Sequence, residues 1–408
     1  RYGAGTREFP KLGIAANLMN NAGIMGTYEP QQLKEELSKL NATCHVSADD
    51  DYLYVTMRGY EETLPQACQL LARQILMPKL DDKQLSRIKG SMLGTRQQRK
   101  ENVALLADAL FQYIRYQDKS DYIEELTDKE VYELQISELT GDINRASNYE
   151  AEIFYCGTLP FDNAYEILSK NLPLVANERP TTSPQDKPLA QVTENTVYFL
   201  PNSDAEQAQV YLYMPMQKYD KKDDVLRDAF YQYFSGGFNG LVINEIREKR
   251  SMAYTAGAYV STPSLPGNPT YLIGRIGTQN DKANDAIDVF MELISDMPKN
   301  AERIENIKSY MRQEALTSHP DFRYKAQYLR MYQRMGYQGD PAEENLKKID
   351  ALTFDDIVKF YEENIKGKPY CIGIMGNPKD IDLKKLEKYG KVVKLNERKL
   401  FNTKDALF

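Results

Sequence analysis

Arg247 and Tyr254 are a guanidinium and a phenol seven residues apart, the residue types of a pair able to donate hydrogen bonds to one bound group. They close the run Ser235-Gly236-Gly237-Phe238-Asn239-Gly240-Leu241-Val242-Ile243-Asn244-Glu245-Ile246-Arg247-Glu248-Lys249-Arg250-Ser251-Met252-Ala253-Tyr254. The pattern predicts a helix opened by Gly240 and ending near Lys249, then a strand from Ala253 to Val260. A seven-residue step across that junction brings a guanidinium and a phenol to the same side. Both are hydrogen-bond donors, and donors fixed where negative charge develops are a large term in catalysis. Taken alone, the pair also fits a solvated arginine on a charged helix and a tyrosine on a half-buried strand. Gly236 and Gly237 either let the backbone approach a ligand or a neighbouring strand, or form a plain turn ahead of the helix. Glu245, Glu248, Lys249 and Arg250 read as a solvated helical face with ion pairs of small worth.

Metal and thiol chemistry find little support. The only histidines are His45, in a strand-like segment, and His319, before Pro320 in a turn-like one; both read as structural. Cys44, Cys68, Cys156 and Cys371 are scattered and form no CxxC pair, which argues against a zinc ribbon or redox motif. Cys68 falls in a helical pattern and Cys156 and Cys371 in apolar strand-like runs, so all four read as small buried hydrophobes. Net charge is −7 with no basic block, which argues against nucleic acid as a partner. No apolar run approaches the roughly 20 residues of a membrane helix. Nothing fixes a compartment. The opening Arg1-Tyr2-Gly3-Ala4-Gly5 lacks an initiator Met and reads as the tail of a strand, so a longer parent chain is expected.

The elements that position these residues follow from length and pattern. A chain of 408 residues is long for one domain and predicts two of roughly 200 each. The polar stretch 177–196, with Pro180, Pro184 and Pro188, reads as a linker between domains at 1–176 and 197–408. Three short echoes recur in order across it. Arg58 and Arg275 each precede a helical pattern, Ile88-Lys89 matches Ile307-Lys308, and Tyr155-Cys156 matches Tyr370-Cys371. The near-constant offset predicts two copies of one fold. In the first copy a helix is expected over Gln31–Leu40 and a strand over Asp51–Arg58. In the second, strands are expected over Val197–Leu200 and Gln209–Met214, then a helix bearing Val225, Leu226, Ala229, Phe230 and Phe234. Thr353-Phe354-Asp355-Asp356 resembles a capping box opening a further helix. Strands that cluster and helices that follow in runs predict an α+β fold, each copy a mainly antiparallel sheet packed against helices.

The run from Ser235 to Tyr254 resembles the glycine stretch, short helix and R-E-K-R-x-x-A-Y segment of insulinase/pitrilysin-type zinc peptidases, and weaker similarity extends along the chain. The resemblance implies the mitochondrial processing peptidase-like metallohydrolase fold, with two halves closing like a clamshell. In that family the N-terminal half carries HxxEH, whose histidines bind zinc from one helical face while the glutamate activates water. Here Gly13-Ile14-Ala15-Ala16-Asn17-Leu18-Met19-Asn20 resembles that segment, with Ala16, Met19 and Asn20 where the metal-binding and basic residues stand. The family's further glutamate lies about 75 residues on, yet no acidic residue falls between Asp82 and Glu101. The chain therefore looks like the C-terminal, non-zinc-binding half. The resemblance implies no cofactor in this chain, zinc in a partner half, peptide substrates, and Arg247 and Tyr254 reaching the substrate carbonyl. The alternative is a catalytically silent structural or binding subunit of a larger assembly.

Overall fold

The structure, a computed structural model, describes residues 1–173, 179–180 and 184–404. The chain divides into two compact units. One is built chiefly of residues 1–97 and 126–185, the other of 98–125 and 186–403. Of the expected linker, residues 177–178 and 181–183 lie outside the described residues. The path leaves the first unit at Gln185. The sequence reading placed 98–125 with the first copy, whereas here they belong to the second unit. The helix Val103–Tyr116 explains why: Leu106, Leu110, Phe111 and Ile114 are buried in one cluster with Leu200, Tyr211, Tyr213, Cys371 and Met375 of the second unit's sheet.

In the first unit the helix Leu12–Met19 buries Leu12, Ala15, Ala16, Leu18 and Met19, its apolar residues being too many for a one-sided stripe. Strand β1 (Gly23–Ile24) leads to the helix Pro30–Lys39, which starts on Pro30 and a capping box in which Gln32 Oε1 accepts from Glu29 N–H at 2.9 Å. Leu33 and Leu37 form its buried stripe. Strands β2 (Thr43–Ala48) and β3 (Leu53–Arg58) pair antiparallel with Val46 opposite Val55, and β4 (Pro78–Lys79) pairs with β1. Between them lies the helix Leu64–Leu76 and after them Asp82–Gln97.

One carboxylate ties two parts of this unit. Glu61, in the turn after β3, accepts from the Tyr155 and Thr158 hydroxyls, from Thr158 N–H at 2.5 Å and from Leu159 N–H at 3.2 Å. These donors, the Thr158 hydroxyl foremost, hold its pKa down to about 2, below the usual 4.5. A depressed carboxylate stabilises the fold fully above its unfolded pKa and loses that contribution as pH falls toward the folded value. Glu61→Gln should therefore lower the melting temperature at pH 7, and the gap to the parent should close between about pH 4.5 and pH 2, as melts across that range would show. A gap independent of pH would mean that charge plays no part.

The second unit is a six-stranded mixed sheet in the order β10-β5-β9-β6-β8-β7. The strands are β5 (Thr196–Pro201), β6 (Gln207–Lys218), β7 (Ala253–Ser261), β8 (Pro269–Gln279), β9 (Cys371–Gly376) and β10 (Lys391–Lys394). β5 runs parallel to β9 and β10; the other pairings are antiparallel. Along β6, Val210, Leu212 and Met214 join one buried cluster and Tyr211 and Tyr213 the other, as the two-residue period of a strand requires. The helices Asp224–Phe234, Ala283–Ser295 and Phe354–Asn364 cover the first face, and Val103–Tyr116 the second. The Thr353 hydroxyl caps the last of the three by accepting from Asp356 N–H at 3.3 Å. The architecture is α+β, as the clustering of strands and helices indicated.

The sequence echoes fall on like elements in two cases. β3 and β8 each lead into a helix, Leu64–Leu76 and Ala283–Ser295, and both Ile-Lys pairs sit in the next helix. The third case differs. Cys371 opens β9, while Phe154–Cys156 lie in no strand and Cys156 is exposed, not buried. Cys68 and Cys371 are buried as expected.

Candidate functional site

The glycine run sits under the edge of the second sheet. The helix Asp224–Phe234 ends with Tyr231 C=O accepting from both Ser235 and Gly236 N–H. The buried Ser235 hydroxyl accepts from Ala258 N–H at 2.7 Å, fastening the loop to β7. Gly236 is buried, and a Cβ there would lie 2.6 Å from Gln232 Cα, so only glycine permits that return of the chain. Gly237 is exposed with φ +56°, a conformation other residues adopt at a cost. Arg303 donates to Asn239 C=O at 2.6 Å and to Tyr233 C=O at 3.3 Å, holding the far side of the loop.

The expected helix over 240–249 is a π-helical turn, Ile243–Glu248, marked by Lys249 N–H donating to Asn244 C=O. Val242 and Ile246 anchor it in the core. Wide turns of this kind are rare and concentrate at functional sites. The chain then reverses through Ser251, at φ +49°, with Ser251 N–H bonded to Arg247 C=O and Met252 N–H to Ile246 C=O. Lys282 donates to Ser251 C=O and the Thr278 hydroxyl to Met252 C=O.

Arg247 and Tyr254 flank this fastened turn. The Arg247 side chain is 43% accessible and its Nε lies 3.6 Å from Glu248 Oε1. Tyr254 is 75% exposed. The register explains the second: Ala253 faces Thr278 and Thr255 faces Gly277, so Tyr254 is the extra residue of a bulge on an edge strand. A bulge re-aims the side chain it carries, here away from the alternation that would tuck it against the sheet. Spacing alone could not show the bulge, the π-turn or the role of Ser235. Arg250 stays exposed, as expected of the charged face, and its bonds are local. It donates to Glu245 C=O at 2.7 Å and to the Glu245 carboxylate, and Lys249 pairs with the same carboxylate at 2.6 Å. Those two cations, Lys249 first, hold Glu245 below the ordinary carboxylate range.

The other candidate positions lie in the first unit, at the end of the helix Leu12–Met19. Ala16 and Met19 are buried among apolar side chains. Asn20 is a clasp: its amide nitrogen donates to Val46 C=O at 2.9 Å and to Ala16 C=O at 3.2 Å, and its oxygen accepts from Val46 N–H at 2.8 Å. Buried Gln74 donates to Met19 C=O and Ala22 C=O. Apolar groups and spent amides make no zinc donor set, so the residues here do not fit a catalytic zinc. Among the described residues no three His, Cys, Asp or Glu side chains lie together as a metal site would need, and His45 and His319 are both exposed. Purified and dialysed, the chain should carry far less than one zinc per molecule; metal analysis near one per chain would overturn this reading.

The family model described as peptidase M16 inactive domain matches residues 147–311. No curated protein sequence matches the chain. Among solved structures, the chain is similar to a peptidase M16 inactive domain from Pseudomonas fluorescens, at TM-score 0.69 and 17% identity, over 92% of this chain and 91% of that one. It is similar to the periplasmic protease PqqL from Escherichia coli, at 0.72 and 13%, over 92% of this chain and 42% of that one. The ferredoxin protease FusC, solved with Arabidopsis ferredoxin, gives 0.71 and 13% over the same shares. This chain thus spans less than half the length of either protease, and at such identities the likeness shows the fold. No helix among the described residues is long and apolar enough to cross a membrane. Residues 147–311 thus match the M16 peptidase inactive domain and the chain shares the fold of such domains, which supports the C-terminal, non-zinc-binding half that the resemblance implied.

Proposed function

We propose that this chain is the substrate-enclosing half of a zinc-dependent endopeptidase acting on peptides. It pairs with an HxxEH half, upstream in the same polypeptide or as a separate subunit, which supplies the zinc and the water-activating glutamate. Arg247 and Tyr254 donate hydrogen bonds to the substrate carbonyl as its oxygen becomes an oxyanion. Gly236 and Gly237 keep the loop beside them close to the sheet and free of side chains. On this reading 1–176 and 197–408 are divergent copies of one domain, joined through 177–196, with the helix Val103–Tyr116 lent to the second.

The observation that supports it most is the contrast within one turn. The backbone from Ser235 to Met252 is fastened at many points, yet Arg247 and Tyr254 stand exposed at either side. A donor must be held still to act, and a tyrosine with no outward task has no need of a bulge. The rival reading, a silent structural subunit, draws on Asn20 and Gln74, which serve only to hold backbone. The test is to add an HxxEH half to this chain and follow cleavage of a quenched fluorescent peptide with and without a chelator. Chelator-sensitive cleavage requiring both halves is expected. Cleavage by the HxxEH half at the same rate without this chain would favour the silent subunit.

A further inference from the structure

The helix Lys325–Arg334 buries none of its residues. Ten residues are too few to hold a helix in water by propensity alone, and helices of this length normally owe their stability to a covered face. The surface it presents is apolar as well as charged. Tyr324, Tyr328, Leu329 and Met331 are exposed, as is Phe322 (58%) in the turn leading in. Five of the eighteen large apolar side chains exposed among the described residues thus come from ten consecutive positions. Such clustering marks an interaction surface, where scattered exposed residues do not.

Charge narrows the partner. Between Asp321 and Asp340 the sequence has Arg323, Lys325, Arg330 and Arg334 and no acidic residue, in a chain of net charge −7. Helical spacing puts Lys325, Tyr328, Leu329 and Tyr332 on one face. The Tyr328 and Tyr332 rings lie 6.0 Å apart, forming a short aromatic ridge with an ammonium at its head. Tyrosine, methionine and arginine are the residues enriched in protein interfaces. A membrane-surface helix would separate a longer apolar face from its cations, and here Lys325 falls inside the stripe.

We infer that this helix is a docking face for an acidic polypeptide segment, one that sets a carboxylate on Lys325 and an apolar side chain along the Tyr328–Tyr332 ridge. It stands apart from the peptidase reading, since it needs no zinc half, and either can fail without the other. The experiment is fluorescence anisotropy on the full chain with a labelled peptide of alternating Glu and Leu, beside peptides with Gln or Lys in place of Glu. The Glu peptide should bind, weaken as salt rises, and outbind both others at least tenfold. Lys325→Glu and Tyr328→Ala should each weaken it about tenfold or more with unchanged circular dichroism and melting. Equal binding of the Glu and Gln peptides, or variants that bind like the parent, would overturn the proposal. So would sedimentation with phosphatidylserine vesicles in the absence of peptide binding, or a dimer that Lys325→Glu dissolves, which would assign the face to a membrane or a second copy.

Discussion

Tyr254→Phe and Arg247→Ala are each expected to lower kcat/KM by about 10²–10³ in the enzyme reconstituted with an HxxEH half, roughly 3–4 kcal/mol of transition-state stabilisation. The HxxEH half would hold the metal that polarises the scissile carbonyl from one side, and the Tyr254 phenol or Arg247 guanidinium would add, from the other, a hydrogen bond that tightens as the oxyanion forms. Tyr254→Phe removes one oxygen and keeps the ring, so any loss reports the donor. Tyr254 is 75% exposed and the Arg247 side chain 43% accessible. Substitution should therefore change stability by less than about 0.5 kcal/mol, and melting curves separate lost chemistry from lost fold. The internal control is Lys249→Ala. Arg250 looks equivalent in sequence, but its bonds to the Glu245 backbone and carboxylate make it part of the turn's fastening. Lys249 keeps only an exposed pair with Glu245, of a kind worth little. Parent-like cleavage by both variants would leave the turn as scaffold and hand the function to the silent-subunit reading.

What the sequence made legible follows from the range of the forces involved. The amphipathic stripe of Leu33 and Leu37, the Thr353 cap and the alternation in β6 are local, written within a few residues of the element they build. They were readable for that reason. The position of Val103–Tyr116 was not, because its apolar face says only that something covers it, and its partner is a sheet whose strands come much later in the chain. Cys156 was misread for a related cause: an apolar run predicts a strand only if a neighbouring strand takes its hydrogen bonds, and Phe154–Cys156 lie in no strand. At the candidate site, Arg247 and Tyr254 were visible through the resemblance of their run to the peptidase segment, since residue type and spacing alone also fit a solvated arginine and a half-buried tyrosine. The features that aim them, a π-turn and a one-residue slip between Ala253 and Thr255, arise from ladder register with β8, which no local pattern encodes. That Ala16 and Met19 supply no metal donor was plain from their types. That Asn20 had taken up the backbone of Val46 was visible only in three dimensions.

The largest stability effects should fall where β8 meets the helix Ala283–Ser295. A Cβ on Gly274 would lie 2.4 Å from Phe290 Cζ and 3.1 Å from Leu212 Cβ, so the Phe290 ring occupies the space a side chain would need. Phe290 is almost wholly buried. Phe290→Ala should cost about 3–5 kcal/mol through lost burial and the cavity left behind. Gly274→Val should cost about 1–3 kcal/mol by overpacking, since β8 is held by β6 on one side and β7 on the other and has little room to shift. The two costs should not add. Once the ring is gone, the valine methyls enter its place, and the double variant should unfold at a denaturant concentration clearly above that expected from the sum, with a coupling of about 1 kcal/mol or more. Additive costs would mean that ring and strand do not in fact compete for space. The same contact bears on the candidate site. Gly274 pairs with Ala258, the residue whose N–H the Ser235 hydroxyl accepts, and the Tyr254 bulge lies four residues back along β7. Gly274→Val should thus reduce cleavage in the reconstituted enzyme while the protein is still folded, whereas an equally destabilising change in the first unit should leave the residual activity of the folded fraction intact.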